Sequence, residues 1–125
     1  MVSQKQLLQP QEIEVFYIIP TIRSHLAKYM KEHGKTQKEI SNLLQIREST
    51  VSNYIHEKRA SRVEFNDQID GEINISADRI KDKWTLLTET QRLLGLIRRT
   101  DVLCQIHKKF ADVPEGCNVK EIGCC

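Results

Sequence analysis

Between residues 20 and 57 apolar side chains recur at intervals of three and four, pause, and resume. In TIRSHLAKYMKEHG, Ile22, Leu26, Ala27 and Met30 fall on one helical face, and Gly34 suits the left-handed position that ends a helix. Thr36 with Glu39 three residues on makes a capping box, so a second helix starts there with Ile40, Leu43 and Leu44 as its apolar side. Gln45 and Ile46 form a tight turn, and a third helix over roughly 47–57 is anchored by Val51, Tyr54 and Ile55. Upstream, Pro10 at a first helical position, with Glu12 and Glu14 behind it, predicts a short helix that Pro20 interrupts.

Downstream, Val63 and Phe65 alternate for a residue or two of extended chain. Asn66 is placed to cap a helix carrying Ile69, Ile73, Ala77 and Ile80, although Gly71 inside it costs about 1 kcal/mol of propensity. A further helix, Lys81 to Arg99, carries Trp84, Leu87, Leu93, Leu94, Leu96 and Ile97, and a last one at about 101–110 carries Val102, Leu103, Ile106 and Phe110. The expected fold is therefore all-α: an N-terminal bundle in residues 1–62, then long helices and a cysteine-rich tail in residues 63–125. Trp84, Leu87, Leu94 and Ile97 exceed what a small helical remainder needs for its own core, so the length from Ile69 to Ile106 is the expected dimer surface.

The third helix has little apolar grip and many short polar side chains. With Val51 and Tyr54 seated beneath it, Arg47, Glu48, Ser49, Thr50, Ser52 and Asn53 face away from the core. A B-form major groove admits one α-helix, and its base edges offer donors and acceptors to such side chains. A helix N-terminus also favours a nearby phosphate. Two short helices and a tight turn with this polarity predict a helix-turn-helix that binds double-stranded DNA.

QKEISNLLQIRESTVSNYI, residues 37–55, resembles the λ repressor-like helix-turn-helix. The matching residues are Gln37, Ser41 (alanine in the usual form), Leu44, Gln45 (glycine), Ile46 (valine), Val51, Ser52 and Tyr54. Gln45 then takes the left-handed turn position at a cost of roughly 1 kcal/mol. Arg47 replaces the usual capping threonine, which leaves Glu48 or Ser49 to cap. A wider pattern looks like a small family of prokaryotic, often archaeal, regulators. It consists of Pro20 with Arg23, Ala27, Gln37 to Arg59, and Leu103-Cys104 with His107, Pro114 and Cys117. The resemblance implies a cytoplasmic DNA-binding regulator that is a homodimer. By it, Gln37 touches phosphate, Glu48, Ser49, Thr50 and Asn53 face bases, and Arg47, Ser52, Lys58, Arg59 and Arg62 hold the backbone. One such helix contacts few base pairs, and two-fold symmetry doubles the readout with half-sites about one helical turn apart.

Composition adds little against this. Hydrophobic residues at 39% and charged residues at 29% suit a soluble domain, and no apolar run approaches the roughly 18–20 residues of a membrane span. The net charge of +2 does not itself announce a nucleic-acid binder, but Arg47, Lys58, Arg59 and Arg62 outnumber Glu48 and Glu57 around the third helix. Arg98, Arg99, Lys108 and Lys109 form a second basic cluster. MVSQKQLLQP has no apolar signal core, so the expected location is cytoplasmic.

All four cysteines, Cys104, Cys117, Cys124 and Cys125, fall in the last 22 residues. In a reducing compartment that distribution points to metal or redox chemistry rather than structural disulfides. Cys104 and His107 sit three apart on one helical face, and Cys117 follows a Pro-Gly loop. Thiolates suit an iron–sulfur cluster or, with His107, a tetrahedral zinc site. A Cys117–Cys124 disulfide is the third possibility. An iron–sulfur cluster that sets DNA affinity is the expectation, because a regulator needs an input and little chain remains for another. A zinc-stabilised regulator and an antitoxin-like interaction module are the alternatives. No Gly-rich phosphate loop, nucleophile elbow or positioned carboxylate pair is present, and His25, His33, His56 and His107 are scattered one per segment, so no enzyme is expected.

Overall fold

The computed structural model describes residues 9–56 and 63–101, and every regular element among them is helical. The chain enters through α1 (Pro10–Ile13), a π-helical turn (Glu14–Ile18) and α2 (Ile19–Glu32). Then come α3 (Gln37–Leu44), α4 (Glu48–His56), α5 (Asp67–Arg79) and α6 (Lys83–Arg98). No helix among the described residues is long and apolar enough to cross a membrane.

Pro20 does not interrupt the first helix as the sequence predicts. Proline lacks an N–H and its ring crowds the carbonyl four residues back, so it normally breaks a helix. Here the preceding turn is widened, with the Ile19 N–H reaching back five residues to the Glu14 carbonyl, and Pro20 sits in the first turn of α2. The Thr21 hydroxyl donates to the Tyr17 carbonyl at 2.7 Å, covering an acceptor in the same stretch. The result is one helical rod from Pro10 to Glu32.

α2 stops as the sequence requires. Gly34 has φ +92°, its N–H donates to Lys31 O at 3.0 Å, and Lys35 N–H donates to Met30 O at 3.1 Å. Those two bonds form a Schellman motif. Thr36 Oγ1 then accepts from Glu39 N at 3.1 Å while Glu39 Oε1 accepts from Thr36 N at 3.2 Å, and α3 begins. The bonds from Thr36 hold the Glu39 carboxyl below its ordinary range. Asn66 caps α5 through Ile69 N at 2.8 Å, and Asp82 caps α6 through Trp84 N and Thr85 N.

α2 is the central member. It packs against α3, α4 and α5, and α6 lies on α5 and α3. Ile22, Leu26, Ala27 and Met30 of α2 meet Ile40, Leu44, Val51, Ile69, Ile73, Ala77, Ile80, Leu93 and Ile97 in one contiguous core. Each fully buried aliphatic side chain of this kind stabilises the fold by about 1.5–3 kcal/mol. Leu94 and Ile97, expected on a dimer surface, are inside this core, as are Ile69 and Ile73. Trp84 and Leu87 are the two of that group left in solvent.

Polar struts fix the helices. Glu14, buried in the π turn, accepts from both Arg98 Nε at 2.7 Å and Arg98 Nη2 at 3.0 Å, which ties the start of the chain to the end of α6. Arg98 is therefore committed and does not add to a free basic cluster. Between α5 and α6, Arg92 donates to Glu72 Oε2 at 2.5 Å, Glu89 Oε1 at 3.1 Å and Ser76 Oγ at 2.7 Å. The buried Ser76 hydroxyl donates to Glu89 Oε1 at 2.7 Å.

α2 and α5 run parallel. His25 Nδ1 stands 3.0 Å from Asp70 Oδ1, and eight residues further along both helices His33 Nδ1 stands 2.9 Å from Asp78 Oδ1. His25 is thus half-buried and partnered, with the Phe65 ring edge-on against it. The Tyr29 hydroxyl donates to the second Asp70 oxygen. Burial, and then the Asp70 carboxylate, push the Tyr29 phenol up to about 12. The folded chain holds that proton after the unfolded chain, near the ordinary value of 10.0, has lost it. Stability from this contact is therefore complete below pH 10 and declines from there towards pH 12. Tyr29→Phe is expected to flatten that decline, which thermal unfolding across the alkaline range measures.

Candidate nucleic-acid interface

α3 and α4 are joined by three residues that reverse the chain. Gln45 adopts φ 56°, ψ 43°, the left-handed conformation that glycine takes most easily. Its N–H and that of Ile46 both return to the Ser41 carbonyl, and its side-chain amide donates to Asn42 O at 2.7 Å. Ile46 is half-buried against the core, so the turn is wedged from within. Gln45→Gly is expected to raise stability by less than about 1 kcal/mol, since the strain relieved exceeds only slightly the lost amide bond and the greater freedom of the unfolded chain. A small rise in melting temperature with no change in helix content would register it.

The Glu48 carbonyl, at the start of α4, accepts from Gln37 Nε2, at the start of α3, at 3.3 Å. The resemblance assigns Gln37 to a phosphate; in the structure its amide also clamps the two helix starts together. Arg47 precedes α4, and its carbonyl accepts the Val51 N–H at 3.1 Å. Glu48 and Ser49, expected as caps, lie inside the helix.

α4 has two sides of different character. Val51 is fully buried, and Tyr54 and Ile55 are half-buried against the core. On the other side Glu48, Ser49 and Asn53 are exposed and Thr50 and Ser52 are partly so, with Arg47 exposed just ahead of them. His56 Nδ1 lies 2.9 Å from the Ser52 carbonyl and 3.4 Å from its hydroxyl, so Ser52 is engaged with the end of its own helix. The structure therefore brings Arg47, Glu48, Ser49, Thr50 and Asn53 together on one surface, with Gln37 at its edge. Lys58, Arg59 and Arg62 lie outside the described residues.

A groove of about 330 Å³ lies where α3 meets the α5–α6 turn, lined by Lys35, Glu39, Asn42, Leu43, Ile80 and Lys81. None of the α4 residues lines it, so it is a separate feature. Among the described residues no group of three His, Cys, Asp or Glu side chains is placed to hold a metal. The expected ligands Cys104, His107, Cys117, Cys124 and Cys125 lie outside the described residues. Comparison of the chain with family models, with curated proteins and with solved structures returns no match.

Proposed function

We propose that this chain is a sequence-specific regulator that binds double-stranded DNA as a homodimer through a helix-turn-helix formed by α3 and α4. The observation that carries the reading is the division of α4. Its inner side is held by Val51, Tyr54 and Ile55, and its outer side offers Arg47, Glu48, Ser49, Thr50 and Asn53 from a rigid seat. Ser49, Thr50 and Asn53 are short and uncharged, Arg47 and Glu48 are longer and singly charged, and together they carry both donors and acceptors. That suits them to base edges in a major groove: Asn to adenine, Glu to the cytosine amine, Ser and Thr to either purine or pyrimidine edges. Arg47, at the helix start, is positioned to meet phosphate, where the helix N-terminus already favours negative charge. Gln37, whose amide also donates to the Glu48 carbonyl, meets phosphate at the start of α3 and reads no sequence.

The proposed input is the cysteine-rich tail, through an iron–sulfur cluster or the redox state of Cys104, Cys117, Cys124 and Cys125. A zinc site including His107 is the alternative. Gain or loss of the group would alter affinity by shifting the relation of the two reading heads. Selection of bound sequences from random duplexes, followed by a footprint with and without reductant and chelator, tests both parts. Recovery of a two-fold symmetric motif supports the reading, and recovery of no motif removes it.

A further inference from the structure

The groove between α3 and the α5–α6 turn lies between two capped helix starts. Lys35 stands one residue before Thr36, the cap of α3, and Lys81 one residue before Asp82, the cap of α6. Both lysines are fixed at the backbone: Lys35 N–H donates to Met30 O at 3.1 Å, and Lys81 N–H donates to Thr85 Oγ1 at 2.8 Å. Their ammonium groups are not so committed. Among the described residues neither forms an ion pair, although the Glu39 carboxylate feels the charge of Lys35. Glu39, on the α3 side, is kept ionised by its bonds from Thr36. Its Oε1 accepts from Thr36 N and the residue is exposed, so the carboxylate still has an oxygen to offer. Leu43, half-buried, and Ile80, closed beneath, make the apolar floor, and Asn42 adds an amide.

We infer that this groove binds a free α-amino acid with an aliphatic side chain, its carboxylate on Lys81 and Lys35, its ammonium on Glu39, and its side chain on Leu43. The lining sets the choice by charge. A simple anion would use the lysines but meet Glu39 and leave the apolar floor bare. An amine would use Glu39 but meet two cations. A zwitterion with an apolar side chain gives each lining residue a partner, and the Asn42 amide, with donors and an acceptor, serves either head group. The volume of about 330 Å³ is at the small end of ligand pockets, which suits one amino acid and excludes a nucleotide or a long lipid. An occupant would brace α3, whose Gln37 clamps the start of α4, against the α5–α6 turn. No α4 residue lines the groove, so the binding holds whether or not α4 enters a duplex.

The test titrates the full chain, without DNA, with L-leucine and follows the backbone amide resonances. Saturable shifts are expected at Lys35, Glu39, Asn42, Leu43 and Lys81, with a dissociation constant on the order of 1 mM, as an open groove and a small ligand allow. Three analogues each lack one group: 4-methylpentanoate the ammonium, 3-methylbutylamine the carboxylate, glycine the side chain. Each should bind about tenfold or more weakly than leucine, and inorganic phosphate should not compete with it. Lys81→Gln and Glu39→Gln should each weaken leucine by a similar factor and leave the melting temperature of the free chain unchanged. The Lys81 side chain is exposed, and glutamine keeps the capping bond that Glu39 makes. The analogues decide the matter if a variant fails to fold. No shift at these residues up to about 20 mM leucine, well above a millimolar constant, overturns the inference. So does 4-methylpentanoate or phosphate binding as tightly as leucine, or leucine binding that ignores both substitutions. Any of those results leaves the DNA reading standing, and a chain that binds leucine but no duplex would sink that reading alone.

Discussion

Arg92→Ala is expected to destabilise the protein by about 3 kcal/mol, the largest loss for a single polar substitution in the fold. Glu89 and Ser76 are buried, and the guanidinium binds both, along with Glu72. Its removal leaves the buried Glu89 carboxylate with the Ser76 hydroxyl and a long contact, 3.9 Å, to the exposed Arg79 guanidinium. A buried ion pair contributes little over a well-packed apolar pair, but half of one is costly. The melting temperature should fall by roughly 10 °C. Arg92→Met combined with Glu89→Gln should recover most of the stability, because neither charge is then stranded. If Arg92→Ala melts within a degree or two of the wild type, the α5–α6 network is a surface ornament and the seating of α6 needs another account.

Ser49→Ala with Asn53→Ala is expected to lower affinity for a selected DNA site on the order of 100-fold or more, since each base-edge interaction is worth about 1–3 kcal/mol. Both residues are exposed, so stability should change by no more than about 0.5 kcal/mol. Binding to unrelated DNA should be nearly unchanged, because these side chains would specify rather than hold. Arg47→Ala should do the reverse, weakening binding to every duplex alike and reducing the salt slope by about one. Val51→Ala, by contrast, should lower stability by removing a fully buried side chain from beneath α4. Gel-shift titrations beside thermal melts separate the three patterns.

Local signals made much of this legible in the sequence. The capping box at Thr36, the glycine stop at Gly34 and the Asn66 cap each depend on a few neighbouring residues, and each appears where the pattern puts it. The polar outer side of α4 followed from period alone, once Val51 was taken as core. Long-range partnerships were not legible. Glu14 and Arg98 are 84 residues apart, His25 and Asp70 are 45 apart, and nothing local marks them as pairs. Pro20 misled because the rule for proline assumes a regular helix, and the π turn before it supplies the missing room. Leu94 and Ile97 misled because helix period tells which residues share a face and not which neighbour covers it; α5 and α3 cover this one.

Placement of α4 in a duplex groove is the claim on which the regulator reading stands. Affinity for a selected site measured from about 50 to 200 mM salt tests it most directly, with an unrelated duplex and the Ser49→Ala, Asn53→Ala chain alongside. The account predicts a steep linear fall in log affinity with log salt for every pairing, from phosphate contacts, with the selected site well above the others throughout. A flat response, or a selected site bound no better by the wild type than by the doubly substituted chain, would contradict it and leave the helix pair as a surface for protein contact.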